Sequence, residues 1–481
     1  MKRHFACVLF AGLMAGVPPS FAVGDLWQRL DSSLTAGVEY RYFPHEPLDE
    51  RQRRNYASIA LQSENYLSWD DRAQSFTLTL FGRADSKDNE RSHGEVHEAF
   101  YRFTARDLEW RIGVRKVFWG VTESVHLVDV INQTDLVEDI DGEDKLGQPM
   151  VNLAWFSELG TIDFFLLPYF RERTFSAPDG RPRTLLPVAT DRTRYRHPDE
   201  RHNLGAAVRY FKGFGPMELG LYYFRGTDRE PLFDFGFDSC TVTATFEGPP
   251  LLTPGPQTGT CANPPSGEPP PLVTIDEVRV DAVNPVFVPV YDEIQQIGLD
   301  AQYIRGGLLL KLESIYQDAP LQDFAALAAG FEYSFYGVFG SAVDIGVLAE
   351  YLYDSRGQIE PEIARVADRI ARSSSLSFRS LAQVQAFQAG LRPQDAAAFQ
   401  DDLFLGARFL PNDIQGTQIL AGTIFDLETD AVFTSLEASR RVGSSMRLSF
   451  VARLFSQVPA RDPLFGYGDD DHIKVVLQRF F

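Results

Sequence analysis

Three short constellations in this chain hold the residue types of catalysis or metal binding. Ser124 and His126 lie two residues apart with Glu123 and Asp129 beside them, which supplies a hydroxyl nucleophile, a base and orienting acids. Triads are defined by three-dimensional geometry, and residues two apart are seldom aimed at each other, so no catalytic residue is assigned. His93 and His97 have the i, i+4 spacing of zinc ligands, but that spacing brings two imidazoles together on a helix. The stretch SHGEVHEAFYRF sits at a loop-to-strand junction, where those positions stand roughly a dozen ångströms apart. Both are expected as surface histidines. VEDIDGEDK (137–145) has the look of a calcium loop, yet lacks the ligand order and closing bidentate Glu of an EF-hand. There is no phosphate loop, no dinucleotide Gly motif after a strand and no nucleophile elbow. The chain is therefore expected not to be an enzyme, with no metal and no cofactor.

Composition narrows what these charges are for. Acids outnumber bases 66 to 46, a net charge of −20, which excludes a duplex nucleic-acid binder because such a protein needs a basic face. Three Cys exclude a disulfide-rich scaffold and a Cys-ligated zinc protein. Aromatics reach 13% while mean hydropathy is only −0.18. That combination suits strands with one face in lipid and one in water.

The elements that position the charges are strands with a period of two. In LTAGVEYRYF, Leu34, Ala36, Val38, Tyr40 and Tyr42 oppose Glu39 and Arg41; LEWRIGVR and MRLSFVARLF alternate in the same way. A helix would mix the two sets. About eighteen such windows are found: near 34–43, 56–68, 74–85, 96–104, 108–115, 150–157, 161–172, 203–211, 217–226, 292–304, 307–317, 325–336, 343–354, 402–409, 417–426, 431–440, 446–455 and 471–481. From the second strand on, every other connection is short, and those between can be long: 116–149, 174–202, 227–291 and 355–401. Loops sorted by parity predict an all-β fold, a closed transmembrane antiparallel β-barrel with short periplasmic turns and long extracellular loops. Residues 1–22, with Lys2 and Arg3 before an apolar run and Ser20-Phe21-Ala22 at the end, are expected to be a cleaved signal peptide. The barrel would then occupy 23–481. In an oxidising compartment Cys240 and Cys261 are expected to form a disulfide across the Pro-rich loop 227–291. The connection 355–401 contains helix-like runs, EIARVADRIAR and FRSLAQVQAFQAG.

The last strand, DHIKVVLQRFF, puts Ile473, Val475 and Leu477 on the face of Phe481. It resembles the assembly signal of Gram-negative outer-membrane barrels. That resemblance implies the bacterial outer membrane, contact with its lipid and lipopolysaccharide, and delivery by the barrel assembly machinery. More specifically, the stretch RIGVRKVFWGVTESVHLVDVINQTDLVEDIDGEDKLGQP, with YYFRGTDREP, FEYSFYGVFG and LEASRR, is similar to porin-like barrels of the alginate-export and substrate-selective type. The Pro-rich loop 227–291 and the helix-like 355–401 depart from that pattern.

Alternation assigns the polar face to the lumen. It carries Glu39, Arg41, Arg83, Glu98, Arg102, Glu109, Arg111, Arg115, Arg209, Lys311, Glu313, Glu350, Arg408, Glu437, Arg447 and Arg453. Charges of both signs imply water there, since a dry core would cost several kcal/mol for each ion. The segment 116–149 is the expected constriction. Its acids Glu123, Asp129, Asp135, Glu138, Asp139, Asp141, Glu143 and Asp144 would face Arg111, Arg115, Arg447 and Arg453 across the pore. The expected function is a channel for passive or substrate-selective diffusion of small polar or charged solutes. The alternatives are an export conduit for polysaccharide or a hydrophobic molecule, working with a periplasmic or inner-membrane transport partner, and a plugged surface barrel.

Overall fold

Each strand window needs two media, and the fold gives one to each face. The computed structural model describes residues 29–247, 249, 255–260, 274–360, 364–365, 375–378 and 397–481. Their strands, in chain order, are β1 (Leu30–Tyr42), β2 (Asn55–Trp69), β3 (Gln74–Asp85), β4 (Gly94–Ala105), β5 (Leu108–Arg115), β6 (Gln148–Ser157), β7 (Gly160–Leu167), β8 (Arg194–Tyr195), β9 (Gly205–Phe214), β10 (Met217–Thr227), β11 (Leu232–Glu247) and β12 (Gln257–Thr260). They continue with β13 (Thr274–Tyr291), β14 (Glu293–Arg305), β15 (Leu308–Asp318), β16 (Phe324–Phe335), β17 (Asp344–Asp354), β18 (Ser375–Phe378), β19 (Asp401–Leu410), β20 (Gln418–Asp426), β21 (Val432–Val442), β22 (Met446–Ser456) and β23 (His472–Phe480).

All but β8, β11, β12, β13 and β18 belong to one 18-stranded antiparallel sheet. The sheet closes: Thr35–Tyr42 of β1 pairs with Ile473–Phe480 of β23. Closure leaves no unpaired edge, the condition for a sheet to stand in an apolar medium. The connections sort as the spacing predicts. One end carries tight turns such as 106–107, 158–159 and 306–307, and the other carries 43–54, 116–147, 168–204 and 355–400. Gly306 takes φ +61 in its turn, a left-handed conformation that a side chain would strain.

The outward face is apolar and bare. Ile59 is 60% exposed and Ile297 58%, and Val38, Leu61, Ile112 and Leu221 are exposed beside them. A contiguous belt of large aliphatics is rarely left on a water-soluble monomer. No helix among the described residues is long and apolar enough to cross a membrane. The inward face is mixed. Part of it, on β6, β7, β10 and β14–β16, is apolar: Met150, Phe165, Leu167, Tyr222, Phe224, Ile294, Ile315 and Phe324 form one buried cluster with Trp119, Val128, Val130 and Ile131 of the 116–147 loop.

Three expectations need correcting. The connection after β10 is a long β11–β13 hairpin, joined by β12 and β18 and by parallel pairing with β8, rather than a loop from 227 to 291. The seventh strand stops at Leu167 instead of running to 172, because Pro168 lacks the N–H a ladder needs. The lumen face, expected to be polar and wet, is also apolar in part, since the loop carries apolar side chains into the barrel and the wall there is apolar to match. Ser375–Phe378 is a strand, while most of both helix-like runs lies outside the described residues, as do residues 1–22. Cys240 is disulfide-bonded; its expected partner, Cys261, lies outside the described residues.

Candidate functional site

The segment 116–147 leaves β5 and re-enters the wall at β6, so both its ends are fixed. Asn132 staples its root: Oδ1 accepts from the Val117 N–H (2.8 Å), and Nδ2 donates to the carbonyls of Arg115 and Leu146 (both 2.8 Å). Between these ends the chain crosses the lumen in two halves.

The first half rests on two wall carboxylates. Glu313 Oε1 accepts from the N–H groups of Val121 (2.7 Å) and Thr122 (2.9 Å) and from the Thr122 hydroxyl (2.6 Å), and Oε2 accepts from the Val128 N–H (3.2 Å). Glu350 accepts from the N–H groups of Glu123 (2.8 Å) and Ser124 (2.9 Å) and from the Ser124 hydroxyl. Consecutive N–H groups converging on an anion make a nest, and bonds to an ionised acceptor are about twice as strong as neutral ones. Gly120 permits the approach. Its φ is +143, and a Cβ there would lie 2.9 Å from His126 Nδ1 and 3.1 Å from Glu313 Oε1. The Glu123 side chain turns the other way, to Arg408 (2.8 Å) and Lys311 (3.4 Å).

The second half is a hairpin closed by Asp135 N–H to the Asp144 carbonyl (2.7 Å) and Leu146 N–H to the Gln133 carbonyl (2.8 Å). Its acids meet cations from distant strands. Glu138 pairs with Arg83 (2.7 Å), Asp139 with Lys474 and Arg453, and Asp141 with Arg453 (2.7 Å). Glu143 meets His126 (2.8 Å), Asp129 meets Lys145 (3.3 Å), and Asp135 accepts from the Thr174 hydroxyl (2.6 Å). Burial disfavours charge on His126, but the Glu143 and Glu313 carboxylates outweigh it and raise its pKa to about 10. Burial likewise opposes ionisation of Asp139, yet Lys474 and Arg453 hold it below the usual carboxylate range. For Asp141, burial and the neighbouring Asp139 charge win, and its pKa rises.

The predicted lumen residues divide into groups. Glu39 gathers Arg91 (2.9 Å), Arg83 (3.2 Å) and Arg41 (3.3 Å). Glu109 holds Arg102 (3.3 Å) and Arg111, while Arg111 and Arg115 both donate to Asn152 Oδ1. Arg209 pairs with Asp300 (2.7 Å) beneath the Trp119 ring, and Glu437 with Arg453 (2.8 Å). Of the four arginines expected opposite the loop acids, only Arg453 reaches them. Arg111 and Arg115 precede the loop on its own strand and face Asn152, and Arg447 lies over the Phe480 ring near the short-turn rim. His93 and His97 are not surface histidines: both rings pack on Phe81, at 5.8 and 5.0 Å, inside the wall. Ser124 and His126 bond to different carboxylates, so they form no nucleophile–base pair. Among the described residues no cluster could hold a metal.

Alternation could have found Lys474, which sits between Ile473 and Val475. No sequence signal marks Asn132 or Arg91 as anchors. Arg91, fully buried, donates to the Val137 carbonyl (2.7 Å) and thereby ties the 86–93 loop to the hairpin.

Open space lies on both sides of the crossing. Toward the short-turn end is a cavity of about 670 Å³ lined by Asp31, Glu64, Glu98, Asp144 and Lys116. None of these five is ion-paired among the described residues. Toward the long-loop end is a cavity of about 270 Å³ lined by Asp141 and Lys145 from the hairpin, by Asp129 from the first half and by Arg173, Asp228 and Glu230.

No protein-family model and no curated protein sequence matches the chain. Solved structures similar to it include Pseudomonas putida OprB (10% identity, 95% of this chain and 96% of that chain, TM-score 0.40). Pseudomonas aeruginosa OccD3 (9%, 94% and 91%, TM-score 0.43) and OccK11 (8%, 94% and 96%, TM-score 0.46) are others. At such identity and superposition no substrate or partner passes from them to this chain.

Proposed function

We propose that the chain is an outer-membrane channel through which small polar or charged solutes diffuse, narrowed by the 116–147 crossing. One observation carries this reading. The hairpin 133–146 stands between two cavities inside one closed barrel, with Asp144 facing one and Asp141 and Lys145 the other. An apolar outer belt and polar inner chambers are what a membrane-spanning aqueous pore requires. The loop acids are largely neutralised by the wall, so the field falls to the uncompensated groups. In the larger chamber those are four acids against Lys116, which supports a preference for cations.

Reversal potentials in a KCl gradient across a planar bilayer test this. A wild-type preference for K⁺ is expected, and the double substitution Glu98→Gln, Asp144→Asn should bring the potential toward zero. A preference for Cl⁻ would refute the assignment. The dense apolar seat of Trp119, Val128 and Ile131 favours a second reading, a barrel held shut by its own loop. Silence in the wild type that gives way to conductance in Glu313→Leu would support it. A polymer conduit, the remaining alternative, would require the loop to leave all its anchors.

A further inference from the structure

Above the crossing, at the long-loop end, lies a third cavity of about 340 Å³. Its walls are apolar where the inner chambers are polar. Phe175, Phe233, Phe287, Leu186, Leu321 and Phe465 contribute, drawn from the 168–204 loop, the β11–β13 hairpin, the 319–323 turn and the 457–471 loop. Its charged lining is Asp228, Glu230, Asp292, Asp462 and Arg173; Glu230 pairs with Arg356 (3.1 Å) and Asp292 with Arg196 (2.7 Å), which leaves the acids in a small excess. Arg173, Asp228 and Glu230 also line the 270 Å³ chamber beneath, so the two spaces adjoin.

From these observations we infer that the channel takes organic cations with an apolar body, such as an aryl or alkyl ammonium. The inference rests on the channel reading and names its substrate class. Two independent features select the two parts of the solute. The apolar vestibule gains on the order of 25 cal/mol for each Å² of ring or chain it removes from water, a gain that small inorganic ions and sugars do not make. The small excess of acid left at its rim, and the uncompensated acids of the chamber below the crossing, favour a positive head and disfavour a carboxylate. A solute would seat its body among Phe175, Phe233 and Phe287 with its head toward the acidic rim, then pass the hairpin toward Glu98 and Asp144.

The test uses the full chain in planar bilayers with 3-phenylpropylammonium, propylammonium and 3-phenylpropanoate added at the long-loop side. The aryl ammonium is expected to interrupt the current at roughly a tenth of the concentration of either comparator. Phe233→Ser with Phe287→Ser should abolish that difference and leave the K⁺ preference in place. Equal block by propylammonium, or stronger block by the carboxylate, overturns the inference while leaving the channel standing. If the barrel does not conduct, the channel reading fails. Calorimetric binding of the three probes to the detergent-solubilised protein then decides the vestibule on its own: tightest binding of the aryl ammonium upholds it, and equal binding or none overturns it.

Discussion

The two halves of the lumen loop are held by opposite means. In residues 117–131 the wall supplies the anions, Glu313 and Glu350, and the loop supplies backbone N–H groups and apolar side chains. In residues 135–145 the loop supplies the anions and the wall supplies Arg83, Arg453 and Lys474. Backbone donors have no pKa in the working range and cannot swing away without moving the chain. Side-chain ion pairs can open one at a time. The first half therefore behaves as a fixed seat, and the second as the part that charge, salt or protons can loosen.

The largest effect should come from the seat. Glu313→Leu leaves three backbone N–H groups and the Thr122 hydroxyl without their acceptor, and bonds of this charged kind are worth about 1.5–3 kcal/mol each. Breaking such a buried group costs about 3–5 kcal/mol, so the loop should unseat while the β14–β15–β16 ladders stay paired. The readouts are raised single-channel conductance and new protease cleavage within 117–131, with an unchanged folded-barrel band on a gel. A tight, uncleaved loop in this variant would show that the apolar cluster alone holds the first half.

This division of labour was only partly legible in the sequence. The barrel was, because a wall between lipid and water enforces a period of two along every strand, and each window overlaps an observed barrel strand. The β11–β13 hairpin was not. Phe233, Phe235 and Phe237 do alternate with Asp234 and Gly236, but Pro285 and Pro289 in the partner argue against a strand. The lumen acids were readable as a set, since VEDIDGEDK lies in a long connection. Their partners were not, because Lys474 is 335 residues from Asp139 and only barrel closure brings them together. The role of Glu313 and Glu350 as acceptors for backbone donors leaves no trace in residue type at all.

The second prediction attacks the ion-paired half. Arg453→Gln with Lys474→Gln leaves Asp139 and Asp141 without their cations. The hairpin should detach at 139–142 while Glu138 stays on Arg83 and 117–131 stays seated. Two uncompensated acids in the lumen should also deepen the K⁺ preference, so the reversal potential moves further to the cation side. If conductance rises as much as in Glu313→Leu, the two halves are one cooperative unit and the contrast between them fails.

A smaller effect is expected from Gly120→Ala. The new Cβ would press on His126 and the Glu313 carboxylate at a φ of +143, which L side chains rarely adopt. Overpacking of this kind costs about 1–3 kcal/mol. Partial unseating should appear as excess current noise instead of a new conductance level, and Gly120→Ser should behave in the same way.

The smallest effect is the titration of the joint between the halves. His126 touches both, bonding to Glu143 of the hairpin and facing Glu313 of the seat at 3.9 Å. Its pKa in the folded barrel, about 10, lies above its ordinary value, so its contribution is complete below about 6.5 and is lost as pH rises through about 10. Asp141 acts with the same sign. Its raised pKa means that ionisation works against the seated loop, and the seat tightens as this group takes up a proton on acidification. Asp139 has the opposite sign, being held low, but its contribution is lost only below the ordinary carboxylate range. Between pH 6 and pH 10 the sum should loosen the hairpin steadily, seen as open-channel noise that grows with alkalinity. His126→Gln should flatten the alkaline part of that curve without changing conductance at pH 6 more than slightly. If the alkaline part of the curve is the same in His126→Gln as in the wild type, the histidine is a spectator between two independently held segments.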